Sequence, residues 1–103
     1  MEANIPYHPE DDFITRGFKY IVNQLTENGI SRNMIHKAAH IDPRTLNNLL
    51  NGGGYNREQQ LKHLVNVALN KFSDRLPQNE GGYPLIMQHL GAEMMGIVMS
   101  GWQ

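Results

Sequence analysis

Between residues 43 and 51 the chain reads "PRTLNNLLN". Arg44, Thr45, Asn47, Asn48 and Asn51 are interleaved there with Leu46, Leu49 and Leu50. The leucines recur at helical spacing, so a helix here has one apolar side and one side of amide and guanidinium groups. Asn carries a donor and an acceptor on one rigid amide, and Arg carries a fork of donors. These groups make paired hydrogen bonds to the edges of adenine and guanine. The chemistry open to them is recognition through hydrogen bonding.

Other residue types leave little room for bond-making chemistry. The chain has no cysteine, which removes a thiol nucleophile, a disulfide framework and a thiolate metal site. It also fits a reducing compartment. His36 and His40 are four apart, a spacing that can bind zinc on a helix, but Lys37 stands where a zinc protease needs Glu, and no Cys assists. The glycine-rich run "NGGGYN", 51–56, lacks the Gly-Lys-Ser/Thr ending of a phosphate-binding loop and does not follow a strand. No carboxylate pair or nucleophile elbow is present. We expect no enzyme activity, no cofactor and no metal, with His63 and His89 as surface or partly buried residues.

The elements that must position the polar set are helical throughout. A first helix is expected to start between Pro9 and Asp12, with Ile14, Phe18, Ile21, Val22 and Leu25 inward and Asn28-Gly29 as its stop. Ser31 caps a second helix over 32–39, with Ile35, Ala38 and Ala39 inward. Asp42 caps a third, with Pro43 as its first residue, since Pro both opens a helix and keeps its predecessor extended. The dipeptide is thus a stop and a restart. The triple glycine reads as a flexible connection. Asn56 and Gln59 have capping-box spacing before a fourth helix over 57–75, whose inward set is Leu61, Leu64, Val65, Ala68, Leu69 and Phe72. A fifth helix is expected over 85–99. No stretch reads as a strand, and no internal repeat appears. The expectation is an all-α single domain spanning 1–103, with about five helices.

The formal net charge is −1, but it is unevenly spread. Residues 1–30 hold two basic and five acidic side chains, residues 31–63 five basic and two acidic, and residues 64–103 two basic and three acidic. Positive charge therefore gathers around the Asn-rich helix. The N-terminus is acidic and has no apolar run, so no signal peptide is expected. The most apolar segment, 84–99, is interrupted by Gln88, His89 and Glu93 and is too short and polar to span a bilayer. The class expected is a soluble, cytoplasmic protein with no membrane partner.

Two short helices joined by a three- or four-residue turn form a helix-turn-helix. From Arg32 to Gly52 the sequence resembles the lambda-repressor-like family of DNA-binding domains found in phage repressors, Cro-type proteins and bacterial regulators. Ile35 and Ala39 match the apolar positions of the first motif helix, Ile41 the aliphatic residue after the turn, and Leu46 and Leu49 the second helix. Asn51-Gly52 matches the pair that often ends that helix. Two positions depart from the pattern: His36 stands where the family has a small residue, and His40 where it prefers Gly. His tolerates a positive φ at about 1–2 kcal/mol.

The resemblance implies that Pro43, Arg44, Asn47 and Asn48 face a DNA major groove, with Thr45 on the same polar side. Arg32 would meet a phosphate or brace the third helix. Asn51, Tyr55, Asn56, Arg57 and Lys62 would meet backbone phosphate, the start of the fourth helix adding its dipole.

The C-terminal stretch "YPLIMQHLGAEMMGIVMSGWQ" holds four of the six methionines. Apolar residues nearly encircle a helix here, more than one small domain can cover, and Gly91 and Gly96 permit close approach of another helix. Leu85, Ile86, Leu90, Met94, Ile97, Val98 and Trp102 are the expected self-association surface. Met-rich surfaces also serve other protein partners, so homodimer and heteromer both stay open.

Two functional readings follow. The first is a homodimeric transcription regulator, a repressor-like protein that binds a palindromic double-stranded DNA operator. The second is a helix-turn-helix module, antirepressor-like or antitoxin-like, that binds and regulates another protein.

Overall fold

The computed structural model describes residues 4–77. Among these residues the chain is all-helical: α1 Phe13–Glu27, α2 Arg32–Ala39, α3 Pro43–Leu50, α4 Arg57–Lys71 and a 3-10 turn Ser73–Arg75. The expected helix over 85–99, with Leu85, Ile86, Leu90, Met94, Ile97, Val98 and Trp102, lies outside the described residues.

Three of the helix starts are made by short polar side chains. Asp12 accepts from Thr15 N at 2.8 Å, Ser31 from Met34 N at 3.2 Å and Asp42 from Arg44 N at 2.8 Å. Each bond satisfies an amide that the helix itself leaves without a partner. The first helix opens at Phe13, later than Pro9, because the chain first turns at residues 8–11, where Asp11 N–H donates to His8 O at 3.1 Å.

α1, α2 and α3 end in the same way. After α1, Ile30 N–H returns to Leu25 O at 3.0 Å across Gly29, whose φ is 86°. After α2, Ile41 N–H returns to His36 O at 3.0 Å across His40, at φ 54° and ψ 40°. After α3, Gly53 N–H returns to Asn48 O at 2.7 Å. This closure satisfies terminal carbonyls and turns the chain sharply. In the first two cases the residue that returns is a buried isoleucine, so the cap also feeds the core.

The triple glycine forms a turn packed against α3, in which Gly53 N–H donates to Asn48 O. Gly54 has φ +93°, and a Cβ there would lie 2.8 Å from Leu49 Cδ2. The backbone packs directly on the leucine, and a side chain here would have to displace Leu49 as well as strain the backbone. The expected capping box does not form. Asn56 is left-handed, at φ 49° and ψ 47°, and its side chain makes no cap hydrogen bond. A capping residue needs an extended backbone to swing its side chain over the first turn. α4 also ends at Lys71 and not at Arg75. Ser73 and Asp74 tighten the chain into a 3-10 turn, which brings Leu76 back to the core at 4 % exposure.

The core is built chiefly between α1 and α4. Phe18, Ile21, Val22 and Leu25 of α1 and Leu61, Leu64, Val65 and Ala68 of α4 are fully buried. α3 packs on α1 through Leu46, Leu49 and Leu50, and α2 packs on α4 through Ile35 and Ala39. Val67 is buried as well, while Ile14, Ala38 and Leu69 are only partly buried.

An N-terminal strap completes the packing. Asn23 accepts from Ile5 N–H at 2.7 Å and donates to Ile5 O at 3.0 Å. Lys19 Nζ donates to Pro6 O at 2.9 Å and pairs with Asp11 at 2.5 Å. Lys19 and Asn23 are both buried on α1, and every buried side-chain N or O atom among the described residues has a hydrogen-bond partner.

Candidate functional site

α3 divides cleanly. Leu46, Leu49 and Leu50 are buried, while Pro43, Arg44, Asn47, Asn48 and Asn51 are exposed. Arg44, Asn47, Asn48 and Asn51 stand at i, i+3, i+4 and i+7, so they form one stripe along the helix. Among the described residues no hydrogen bond engages the side chains of these four, although the Arg44 backbone N–H donates to Asp42. Thr45 is half-buried at the edge of the stripe.

The turn before α3 sets where the helix begins. His40 takes the left-handed conformation, Ile41 is 7 % exposed, and Asp42 caps the new helix. His36 is half-buried, and its Nε2 lies 3.1 Å from Asn33 Oδ1. The imidazole is accommodated on its own helix. His63 of α4 donates from Nε2 to Ala39 O at 2.6 Å, which ties α4 to the end of α2 from which the turn departs. Lys62 lies half-buried beside it on α4, Lys37 is exposed on α2, and Arg32 is half-buried at the start of α2.

The turn after α3 presents Tyr55, exposed to 89 %, more than any other large hydrophobic side chain among the described residues. Asn56 is exposed next to it. Arg57, in contrast, points inward. Its Nη1 donates to Leu49 O at 3.2 Å and to Gly53 O, and its Nη2 donates to Thr15 Oγ1 at 2.6 Å. Its Cζ sits 5.4 Å from the centroid of the Phe18 ring. Hydrogen bonds from Thr15, side chain first and then N–H, hold the Asp12 carboxyl below the usual carboxylate range, and the Arg57 charge adds to this. The start of α1 is thereby joined through Thr15 and Arg57 to the end of α3.

Of the acidic residues of the first third, Asp12 lies at this joint. Asp11 is engaged by Lys19, which together with the His8 N–H lowers its pKa, and Asp12 caps α1. Thr15, Phe18 and His63 escaped the sequence reading as parts of the site. Their partners are far away along the chain, Thr15 and Arg57 being 42 positions apart and Ala39 and His63 24. No periodicity signals such pairs.

Among the described residues, no group of three or more His, Cys, Asp or Glu could hold a metal ion, and no helix is long and apolar enough to cross a membrane. No family model, curated protein or solved structure matches the chain.

Proposed function

We propose that this protein is a sequence-specific double-stranded DNA-binding regulator of transcription, acting as a homodimer on a palindromic operator. The observation that carries the reading is the stripe Arg44, Asn47, Asn48 and Asn51. It is exposed, has no described internal partner, and is set on a helix held by its leucine side. Amides and a guanidinium in this spacing can form paired bonds to purine edges in a major groove. α2 would lie across the backbone, with Arg32 and Lys37 toward phosphate. Tyr55, Asn56 and Lys62 would contact backbone on the other side of α3. Dimerisation through the apolar residues of 85–102 would place two such helices about one DNA turn apart.

The test is selection from random duplex DNA by the purified full chain at about 100 mM salt, where nonspecific phosphate binding is partly suppressed. Enrichment of a two-fold symmetric site is the expected outcome. A folded protein that enriches nothing overturns the reading and moves the stripe to a protein partner.

A further inference from the structure

We propose that Arg57 is a positioning residue for recognition by α3, locking the end of that helix to α1 and making no phosphate contact of its own. The inference rests on the reading of α3 as the DNA-contacting helix. By sequence alone, a basic residue at the start of α4 reads as a phosphate contact. The geometry assigns its guanidinium elsewhere. Leu49 O, Gly53 O and Thr15 Oγ1 take its hydrogen bonds, and Phe18, fully buried, carries its face.

One planar group thus joins three elements: the last turn of α3, the glycine turn that follows it, and α1. A cation at the C-terminal end of α3 also complements the helix dipole. Leucine packing against α1 is not directional, so it leaves sliding and rotation of α3 weakly opposed. The hydrogen bonds of Arg57 are directional and set both. Base readout depends on this, because amide and base edges must meet within hydrogen-bonding distance along the whole stripe. Lysine keeps the charge but has no planar fork to bridge these acceptors or to stack on the ring.

Arg57→Lys in the full chain separates the roles. Its affinity for the selected duplex and for random duplex would be measured across a salt series. Exchange of the Gly53 amide hydrogen would be followed by NMR, since that amide closes α3 on Asn48 O. We expect specific affinity to fall about tenfold, nonspecific affinity and salt slope to hold, and Gly53 exchange to accelerate about tenfold. A direct phosphate contact gives another pattern: Arg57→Lys is silent, while Arg57→Ala weakens both duplexes alike and lowers the salt slope by about 0.9. That pattern overturns the proposal. So does a lowered Tm with unchanged specific affinity in the folded variant, which marks a purely structural role.

If the wild-type protein selects no duplex, the DNA reading fails by itself and Gly53 exchange decides the lock. Acceleration in Arg57→Lys supports it, and unchanged protection overturns it. If Arg57→Lys does not fold, Thr15→Val removes a single acceptor. The same loss of specificity over nonspecific binding is then expected in smaller degree, and full retention of specificity sinks the proposal.

Discussion

Asn23 and Asn48 carry the same amide and use it in opposite ways. Asn23 is 4 % exposed on α1, and both ends of its amide are engaged by the backbone of Ile5. Asn48 is exposed on α3 beside Asn47, and no side-chain hydrogen bond engages it among the described residues. A buried amide must find its partners inside the protein, because water cannot reach it. An exposed amide keeps its full bonding capacity for whatever docks there. The contrast separates a face that holds the strap from a face available to a ligand.

The largest break in this contrast comes from the hidden side of α3. Leu49→Ala is expected to destabilise the protein by about 2–5 kcal/mol, because Leu49 is fully buried against α1 and under the glycine turn. Urea denaturation measures it, and a change below 1 kcal/mol would mean that α3 is not held by its leucines. Next in size is Asn23→Ala, expected to cost about 1–3 kcal/mol and to release residues 4–7. Amide exchange at Ile5 should rise to that of an open chain, and retained protection would show that the strap does not depend on the amide.

Asn48→Ala sharpens the other half. Its stability should stay within about 0.5 kcal/mol of wild type, while operator affinity falls by about 1–3 kcal/mol with relaxed choice at one base pair. A melt and a binding titration together decide this, and an unchanged affinity in both Asn47→Ala and Asn48→Ala removes α3 as the reader.

His40 allows a smaller comparison, with Gly29. Both sit left-handed at the end of a helix, one with a side chain and one without. His40→Gly relieves backbone strain but loosens the unfolded chain, so a net gain of about 0.5–1 kcal/mol is expected. A lower Tm would show that the imidazole contributes something beyond the turn.

The gentlest change is with pH. Asp11 and Asp12 both have lowered carboxyl pKa values, Asp11 through Lys19 first and Asp12 through Thr15 first. A carboxyl whose pKa is lower in the folded state adds stability that is fully present above its unfolded value, about 3.9. That contribution fades as pH falls through the folded value. Acid unfolding monitored by circular dichroism should therefore steepen below about pH 4, and Asp11→Asn should flatten that dependence.

Particular residues show how far the sequence reaches. Ser31, Asp42 and Gly29 were legible as helix boundaries because capping acts within a few residues through side-chain chemistry alone. The polar stripe of α3 was legible because the leucines fix which side is buried. The Asn56 capping box was not legible, since composition reports which conformations are allowed and not which one packing selects. Gly54 takes φ +93° with Leu49 Cδ2 only 2.8 Å from where a Cβ would stand, a contact that composition does not show. The strap on Asn23 and Lys19 left no trace in sequence, because it joins residues 18 and 13 apart through a few hydrogen bonds to backbone.

By itself, then, the sequence determined the helical class, the helix starts at Ser31 and Asp42, the reversal at His40, and the division of α3 into leucine and amide sides. These follow from local rules: a 3.6-residue period, a capping oxygen, and residues that tolerate a positive φ. Only the tertiary structure decided which acceptors Arg57 meets. A guanidinium at a helix start is equally suited to phosphate or to protein carbonyls, and the choice depends on which acceptors the fold brings within reach. Here Leu49 O, Gly53 O and Thr15 Oγ1 converge on it from two other segments of the chain.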